Sequence, residues 1–457
     1  MASQTVGRVA WDDVRRQATD FLSRYIQIDT SNPPGNEAAA ARMISETLAA
    51  EGIASELYTP APGRPNLVAR LRAPDPFARP LLLLHHMDVV PASPGAWRVP
   101  PFDGEVREGY VWGRGAIDDK GLGAIHLIAF LLLARSGVTL GRDVILMAVA
   151  DEEEGGGLGA GWMVNNHWDD IECEYVWDEG GAGSHGIIGD NPVFSVSVWE
   201  KRSMVLRLTA RGQGGHGAMA VGAPIDRLVS ALHALQGYRA DARFNEVTRE
   251  FFRRVAATRP FPVSWLMRNA GHFAVRPLLS ARINKIPVVN AMVRDTVVTT
   301  ILDAGGKPNV SPETAMATTN ARLLPDTDPE AFLQNIRNVV GESIDVEVEA
   351  LTEASPPSPV ASELFEAIEK AAVAEVPGAV VTPIQTPVIT DSRFFRLKGA
   401  KAYGLIPAIL TTDDLNTIHG VDERISIDNL VRGIKITLDA ITRLCARDGA
   451  SASDQRR

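Results

Sequence analysis

The feature that most constrains the fold is a wholly apolar segment that ends in a run of acidic residues. The segment VILMAVA, residues 144–150, is typical of a strand buried on both faces. It runs directly into DEEEGGG, residues 151–157. Four adjacent carboxylates repel one another unless water or a cation shares their charge. The sequence therefore leaves two interpretations of this stretch: a solvated loop, or a strand end at which a cation binds.

Length and composition predict a soluble protein of more than one domain. A chain of 457 residues, 45% of them hydrophobic, is long enough for two or three domains. Its formal net charge of −10 argues against nucleic-acid binding, and its longest apolar segment, residues 124–134, is too short to span a bilayer. The chain has two cysteines, and its first residues lack the apolar core of a signal peptide. We therefore expect a cytoplasmic protein with reduced thiols and no membrane association.

The order of predicted elements indicates an α/β fold interrupted by an α+β domain. Apolar strands alternate with helices over the first 150 residues, which is typical of a sheet covered by helices. Alternating apolar and polar residues at 193–213 and 314–325 instead predict antiparallel strands with one solvated face. Helices are predicted at 120–135, 224–237, 329–340 and, near the end of the chain, 427–443. The predicted segments are a first domain at 1–193 and 325–446, an inserted domain at 194–324 and a disordered tail at 447–457.

A histidine and an aspartate share one face of a predicted strand. In HHMDVV, residues 85–90, alternate side chains lie on the same face, so His86 and Asp88 point together and His85 points away. A metal-binding histidine usually donates its second ring N–H to a carboxylate, and His86 with Asp88 satisfies this arrangement. The alternative is an ordinary hydrogen-bonded histidine at a strand end.

Further histidine and acidic residues follow other predicted strands. In WGRGAIDDKG, Asp118 and Asp119 precede a helix, where they either cap its positive end or bind cations. WDEGG also follows apolar residues, and NTIHGVDERI carries His419 late in the chain. In open α/β sheets, ligands bind at the edge formed by successive strand ends. Histidines mixed with carboxylates suit zinc, so the whole pattern favours a metal site over separate loops and caps.

In these motifs the chain resembles the dinuclear zinc family of aminoacylases, Gly-X and glutamate carboxypeptidases, and succinyl-diaminopimelate and acetylornithine deacylases. HHMDVVP, GRGAIDDKG, DEEEG, DEGG, GGHGA, NVSPETAMATTNARLLP and TDSRFF match the motifs of that family in order, over about residues 11–443. The forms DEGG and TDSRFF are most similar to the aminoacylase and yeast-type carboxypeptidase branches. The resemblance implies a zinc-exopeptidase-like mixed sheet covered by helices, with a ferredoxin-like insert that serves as a lid and dimerisation domain.

The resemblance also implies a pair of Zn2+ ions, with Co2+ or Mn2+ as alternatives. It assigns one ion to His86, Asp118 and Glu179. It assigns the other to Asp118, Glu153 and His419, so that Asp118 bridges the two. The peptide bond that follows Asp118 is expected to be cis.

The resemblance assigns the general acid and base role to Glu152 and the orientation of His86 to Asp88. The acidic stretch contains three glutamates where two suffice, so a second register remains open. In that register the roles of Glu152 and Glu153 pass to Glu153 and Glu154.

Four further residues match family positions that contact substrate. The resemblance assigns stabilisation of the oxyanion to His216, which in this family often reaches across from the partner subunit. Asn309 and Arg322 match residues that contact the carbonyl and carboxylate of the substrate, and Arg393 is a second candidate for the carboxylate. The segment 239–285 is rich in arginine and is interpreted either as a solvated helical face or as a wall that attracts an anionic substrate.

The expected activity is metal-dependent hydrolysis of the amide bond in an N-acyl amino acid. The alternative is a carboxypeptidase or dipeptidase that acts on small peptides with a free C-terminus, and a more remote one is a non-catalytic metal- or peptide-binding relative. The expected partner is a small-molecule substrate. The resemblance alone implies a homodimer.

Overall fold

Two structural units account for the parts of the chain that the computed structural model describes, residues 9–186, 191–219, 221–273, 275, 283–284 and 286–447. The first comprises Met1–Val198, Pro356–Ile384 and Thr390–Arg457, and the second comprises Trp199–Ser355 and Gln385–Ile389. Where the chain leaves and re-enters the first unit, the amide of Ser358 donates a hydrogen bond to the carbonyl of Val198 at 2.8 Å. The exit and return points of the chain therefore lie side by side in that unit.

An eight-stranded mixed sheet forms the centre of the first unit. Its strands Leu81–His86 and Val144–Val149 are buried at every residue and pair in parallel. Continuous apolar runs of this kind are expected for strands that are covered on both faces. In spatial order the strands are Ser55–Tyr58, Asn66–Leu71, Val144–Val149, Leu81–His86, Tyr175–Ser184, Lys401–Leu410, Val193–Glu200 and Val380–Thr386.

Helices pack against this sheet and bury its apolar side chains. The helix Lys120–Arg135 is buried from Lys120 to Leu133, as its continuous apolar sequence predicts. Among the described helices, none combines the length and the apolar composition that crossing a bilayer requires. The helices are Trp11–Ile26, Ala38–Ala50, Lys120–Arg135, Ala160–Asn166, Trp168–Ile171, Glu363–Glu375, Ser392–Leu397, Thr412–Leu415 and Ile427–Cys445, with single helical turns at Pro94–Ala96 and Glu152–Glu154. A small sheet joins Val106–Arg107, Tyr110–Trp112 and Arg424–Ser426.

The second unit has the ferredoxin-like arrangement that the resemblance implies. Its strands and main helices follow one another as strand, helix, strand, strand, helix, strand. The helices Pro224–Gly237 and Pro329–Val340 pack against each other and share an apolar core with the sheet. The antiparallel sheet has the spatial order Thr296–Asp303, Thr314–Leu323, Arg202–Arg211 and Asp345–Leu351. The other elements are Gly215–His216, Gly217–Met219, Glu246–Ala256, Val263–Arg268, Pro287–Met292 and Val310–Ser311.

The bounds of the inserted unit differ from the predicted 194–324. The strand Asp345–Leu351 pairs with Arg202–Arg211, so it and the helix before it complete the ferredoxin-like sheet. Ending the unit at residue 324 would leave Arg202–Arg211 unpaired along one edge. At the other boundary, Val193–Glu200 pairs within the eight-stranded sheet. The predicted tail at 447–457 lies outside the described residues except for Arg447.

Candidate metal centre

Three neighbouring strands of the large sheet end at the same edge and carry candidate ligands. Leu81–His86 runs parallel to both Val144–Val149 and Tyr175–Ser184, so the carboxyl ends of the three strands meet. His86 is the last residue of the first strand, and the turn Glu152–Glu154 follows the second. This edge is where ligands bind in open α/β sheets.

The carboxylate of Asp118 lies between two histidines. Its Oδ1 atom is 3.1 Å from His86 Nε2, and its Oδ2 atom is 3.1 Å from His419 Nε2. Glu179 Oε1 lies 3.9 Å from His86 Nε2, and Glu153 Oε2 lies 3.3 Å from His419 Nε2. The structure thus brings all five candidate ligands together in two groups that share Asp118. The peptide bond that follows Asp118 is cis, as the resemblance implies.

The donor atoms of this cluster fit divalent cations. Ligand atoms of His86, Glu152 and Glu179 lie within 4.8 Å of one another, as do those of His86, Asp118 and Glu153. Histidine nitrogens combined with carboxylate oxygens are suited to zinc and similar ions. The carboxylates are at most half-exposed, and such crowding of negative charge is costly unless a cation shares it.

The pKa values in the cluster reflect this crowding. Burial raises the pKa of Glu179 well above its ordinary value, and the carboxylates of Asp118 and Glu152 raise it further. Burial likewise raises the pKa of Glu152. Hydrogen bonds to Asp118 and Glu153 raise the pKa of His419 to about 10. A bound cation would reverse these shifts, because it stabilises ionised carboxylates and requires neutral histidine.

The Asp88 side chain holds the turn that carries the candidate base. Its carboxylate accepts hydrogen bonds from the amides of Glu152 at 3.1 Å and Glu153 at 3.2 Å, and from Asn32 Nδ2 at 2.8 Å. His86 Nδ1 lies 2.9 Å from the backbone carbonyl of Asp88 and 3.5 Å from its carboxylate. Asp88 therefore orients His86 chiefly through its main chain, whereas its side chain positions Glu152 and Glu153.

The three adjacent glutamates have different surroundings. The chain turns sharply at Asp151, which has a φ of 71°, and the helical turn Glu152–Glu154 follows. Glu152 and Glu153 are half-buried and each offers a carboxylate oxygen within 4.8 Å of a ring nitrogen of His86, whereas Glu154 is exposed. This geometry favours the first register over the alternative with Glu153 and Glu154.

A buried carboxylate that the sequence analysis did not single out, Glu423, organises the loop before Asp118. It accepts hydrogen bonds from the amides of Gly115 at 3.0 Å, Ile117 at 2.8 Å and Asp118 at 3.0 Å. Arg114 donates to it at 2.7 Å. The one local signal is that Glu423 lies four residues after His419 in NTIHGVDERI, whereas its partner Asp118 lies 305 residues away in the sequence.

Arg393 lies beside the candidate centre, but its guanidinium bonds to the main chain. Nη1 donates to the carbonyl of Thr390 at 3.1 Å, and Nη2 donates to the carbonyl of Gly155 at 2.7 Å. The same group lies 4.3 Å from the ring centroid of Phe394. These contacts tie the helix that carries Arg393 to the turn after the three glutamates. They account for its burial without a substrate, and its contact with a substrate carboxylate stays a prediction.

The second unit carries the other three predicted substrate residues. His216 is exposed and pairs with Val310, and the amide of Gly217 donates to the carbonyl of Asn309 at 2.9 Å. The structure therefore brings His216 and Asn309 together within this unit. Arg322 is half-buried in the strand Thr314–Leu323. The roles of these three residues toward substrate stay predictions.

A mixed sheet whose edge collects two histidine–carboxylate groups around one aspartate is suited to a hydrolase with a metal centre. The chain belongs to peptidase family M20/M25/M40, which it matches over residues 82–443. Membership of that family confirms the resemblance found in the sequence.

Similar proteins include an N-fatty-acyl-amino acid synthase/hydrolase PM20D1 from Xenopus tropicalis, 35% identical over 356 residues, or 76% of this chain and 69% of the relative. A probable carboxypeptidase S-like 2 from Dictyostelium discoideum is 30% identical over 381 residues, or 80% of this chain and 71% of the relative. Among solved structures, the M20 family metallo-carboxypeptidase Sso-CP2 from Sulfolobus solfataricus has a TM-score of 0.68 at 19% identity and covers 95% of this chain and 99% of that chain. This last likeness is one of fold.

Proposed function

We propose that the protein hydrolyses the amide bond of N-acyl amino acids, with two zinc ions bound at the candidate metal centre. The observation that carries the proposal is the carboxylate of Asp118, which lies 3.1 Å from a nitrogen of each histidine. A carboxylate that lies between two histidines is suited to binding a pair of cations, one through each oxygen. The Xenopus relative named as an N-fatty-acyl-amino acid hydrolase supports the choice of substrate.

In this proposal His86, Asp118 and Glu179 hold one ion, and Asp118, Glu153 and His419 hold the other. When bound, the ions polarise the substrate carbonyl and make a water molecule more acidic. Co2+ or Mn2+ would offer the same chemistry to this donor set.

Glu152 is the proposed proton carrier. It accepts a proton from the attacking water and passes that proton to the amide nitrogen, which then leaves as an amine. Its main chain is fixed for this task, because its amide donates to Asp88 Oδ1 at 3.1 Å.

Recognition of the free carboxylate is assigned to Arg322, because a guanidinium binds a carboxylate with two parallel hydrogen bonds. Stabilisation of the oxyanion is assigned to His216 and contact with the carbonyl to Asn309, as the resemblance implies. A homodimer formed through the second unit rests on the resemblance alone. A cytoplasmic location is supported by Cys173 and Cys445, both buried free thiols.

A second candidate function is a carboxypeptidase that acts on small peptides with a free C-terminus. It is favoured by the likeness to the Dictyostelium protein named as a probable carboxypeptidase. The two functions share their chemistry, so only the group on the acyl side of the scissile bond distinguishes them.

The test is a hydrolysis screen on protein that has been stripped with a chelator and then reloaded with zinc. The panel pairs N-acyl amino acids of increasing chain length with dipeptides of the same C-terminal residue. Each substrate has a counterpart whose carboxylate is replaced by an amide. We expect cleavage of the N-acyl amino acids, lost on chelation, restored by zinc and much weaker for the amides. Faster cleavage of the dipeptides would favour the carboxypeptidase, and no cleavage in the reloaded protein would favour a non-catalytic role.

A further inference from the structure

The histidine that completes one of the two ligand groups, His419, lies on a loop rather than in the sheet. Its side chain is 53% exposed, whereas those of the other four candidate ligands are at most 14% exposed. The loop runs between the short helix Thr412–Leu415 and the strand Arg424–Ser426. His419 has a φ of 57°, a conformation that a residue other than glycine keeps only when its surroundings hold it. The distance between His419 and Asp118 therefore depends on what holds this loop against the loop before Asp118.

One guanidinium joins the two loops. Nη1 of Arg114 donates a hydrogen bond to Glu423 at 2.7 Å, and Nη2 donates to the backbone carbonyl of Gly420 at 2.8 Å. Gly420 directly follows His419 in the sequence. Glu423 in turn accepts a hydrogen bond from the amide of Asp118 at 3.0 Å. A continuous series of contacts through Arg114 thus runs from the backbone beside His419 to the backbone of Asp118.

The position of this guanidinium is fixed from several sides. Arg114 is 2% exposed, and its Cζ atom lies 5.3 Å from the ring centroid of Trp97. Its amide donates to the carbonyl of Pro101 at 2.8 Å, so its main chain is held as well. Charge-assisted hydrogen bonds are stronger than those of neutral donors, and lysine cannot make two of them in the planar geometry of a guanidinium. Arg114 is therefore suited to keeping the two loops at a constant separation.

The two histidines of the candidate centre differ in how far they depend on these contacts. His86 is the last residue of a buried strand, and its side chain is 2% exposed. Its position is set by the pairing of Leu81–His86 with the neighbouring strands. His419 is instead positioned by its loop. Loss of the contact at Gly420 should therefore displace His419 and leave His86 in place.

We propose that Arg114 is a positioning residue that holds His419 beside Asp118. In this way it raises the affinity of the protein for the second ion, which is the ion that these two residues share with Glu153. The inference rests on the proposed function, because it takes its two ions from there. Arg114 acts through the backbone beside His419 and is not itself a candidate ligand. The first ion, whose histidine is held in the sheet, should be bound almost independently of Arg114.

The test is a calorimetric titration of chelator-stripped, full-length protein with zinc alone, for the wild type and for Arg114→Lys. The lysine keeps a positive charge beside Glu423 but lacks the second arm that bonds to Gly420. We expect the wild type to bind two ions and the variant to bind the first ion as the wild type does. The second ion should bind to the variant about 10–100-fold more weakly, as is typical when a contact behind a metal ligand is removed.

Turnover at increasing zinc concentration provides a readout that general damage to the fold would not reproduce. Arg114→Lys should be weakly active when zinc is limiting. With zinc in excess it should approach the wild-type kcat at an unchanged KM, because the weakened site is then filled. A loss of kcat that excess zinc does not restore, together with normal binding of both ions, would overturn the proposal.

A second variant tests the same contact with less disturbance. Trp97→Leu removes the ring against which the guanidinium packs and leaves both hydrogen bonds of Arg114 available. It should weaken binding of the second ion in the same direction as Arg114→Lys, but to a smaller extent. Thermal unfolding of the stripped proteins shows which variants are folded, and Trp97→Leu carries the test where Arg114→Lys does not fold.

The matched control is Arg98→Lys, because Arg98 pairs with the same loop three residues after His419. Its Nε atom lies 2.9 Å from Asp422, and its side chain is 72% exposed. Its amide, which the substitution keeps, also donates to Asp422 at 2.8 Å. This variant should bind both ions as the wild type does. Equal weakening in Arg98→Lys and Arg114→Lys would overturn the proposal, because any contact of the loop would then have the same effect.

The possible results separate this inference from the proposed function. A wild type that binds two ions, with Arg114→Lys binding both as tightly, would overturn this inference alone. Equal weakening of both ions in Arg114→Lys would also overturn it, because the variant would then disturb the centre as a whole. A wild type that binds fewer than two ions would overturn the two-ion centre of the proposed function, and this inference with it.

Discussion

The three adjacent glutamates after the strand Val144–Val149 should give three different phenotypes when each is changed to glutamine. Glu152→Gln keeps the size of the side chain and the main-chain hydrogen bond to Asp88, but it removes the proposed proton carrier. We therefore expect both metal ions to stay bound while most of the turnover is lost. Glu153→Gln removes the negative charge of a candidate ligand 3.3 Å from His419 and should lower the metal content.

The expected loss of turnover in Glu152→Gln follows from the proposed role of Glu152 in general acid and base catalysis. General acid and base catalysis typically contributes a rate factor of about 10²–10⁴. This factor corresponds to a barrier higher by roughly 3–5 kcal/mol, and it should appear in kcat with little change in KM. In the metal-free protein, Glu152→Gln also removes one of several crowded carboxylates. The melting temperature of that form should therefore not fall.

Glu154→Gln is the matched control, because Glu154 belongs to the same helical turn and is exposed. It should leave turnover and metal content unchanged, and stability within about 0.5 kcal/mol of the wild type. The assays are steady-state kinetics on an N-acyl amino acid, metal analysis of the purified variants and thermal unfolding with and without chelator. Loss of turnover in Glu154→Gln with normal turnover in Glu152→Gln would refute this assignment and establish the second register.

Three other perturbations follow from the buried contacts. Arg393→Gln should loosen the turn at Gly155 and lower kcat and metal retention while KM stays near its wild-type value; a rise in KM alone would instead indicate a substrate contact. Glu423→Ala leaves the buried guanidinium of Arg114 without its carboxylate partner and should lower the free energy of unfolding by about 3–5 kcal/mol in denaturant titrations; a cost near zero would contradict that contact. Burial lowers the pKa of His126 to about 3, so the folded protein keeps it neutral whereas the unfolded chain takes up a proton below about pH 6.5. His126 therefore does not lower the free energy of unfolding above about pH 6.5. Below that pH it lowers the free energy of unfolding by up to about 1.4 kcal/mol per pH unit. Urea titrations from about pH 6.5 down to about pH 3 should show a smaller fall in the free energy of unfolding for His126→Met than for the wild type. An equal fall would exclude His126 as its source.

The sequence predicts elements well where one local pattern decides them. The helices Lys120–Arg135, Pro224–Gly237 and Pro329–Val340 have the predicted bounds, because apolar periodicity and flanking glycine or proline mark their ends. The boundary of the inserted unit was not predictable in this way. An amphipathic helix such as Pro329–Val340 has the same pattern whichever sheet it covers, and only the pairing of Asp345–Leu351 reveals its place.

The candidate centre likewise has parts that local sequence patterns predict and parts that they do not. The side chains of His86, Asp118 and His419 meet as the order of the motifs predicts, because strand ends and their loops converge at one edge of a sheet. The positions of Glu423 and Arg393 were not predictable from local pattern. Glu423 accepts from backbone amides of a distant loop, and Arg393 donates to the distant carbonyl of Gly155 as well as to the nearby carbonyl of Thr390; backbone groups carry no signature in the sequence.

The hydrogen bond between Val198 and Ser358 has a consequence for how this architecture tolerates change. Because the chain leaves the first unit after Val198 and is beside that residue again at Ser358, all of the second unit except Gln385–Ile389 is one continuous insertion. We therefore expect changes in the length of this insertion to leave unaltered the register of the strands Leu81–His86 and Val144–Val149. A shortened chain in which a few flexible residues join these two points should still fold and retain metal, as metal analysis of the purified protein would show.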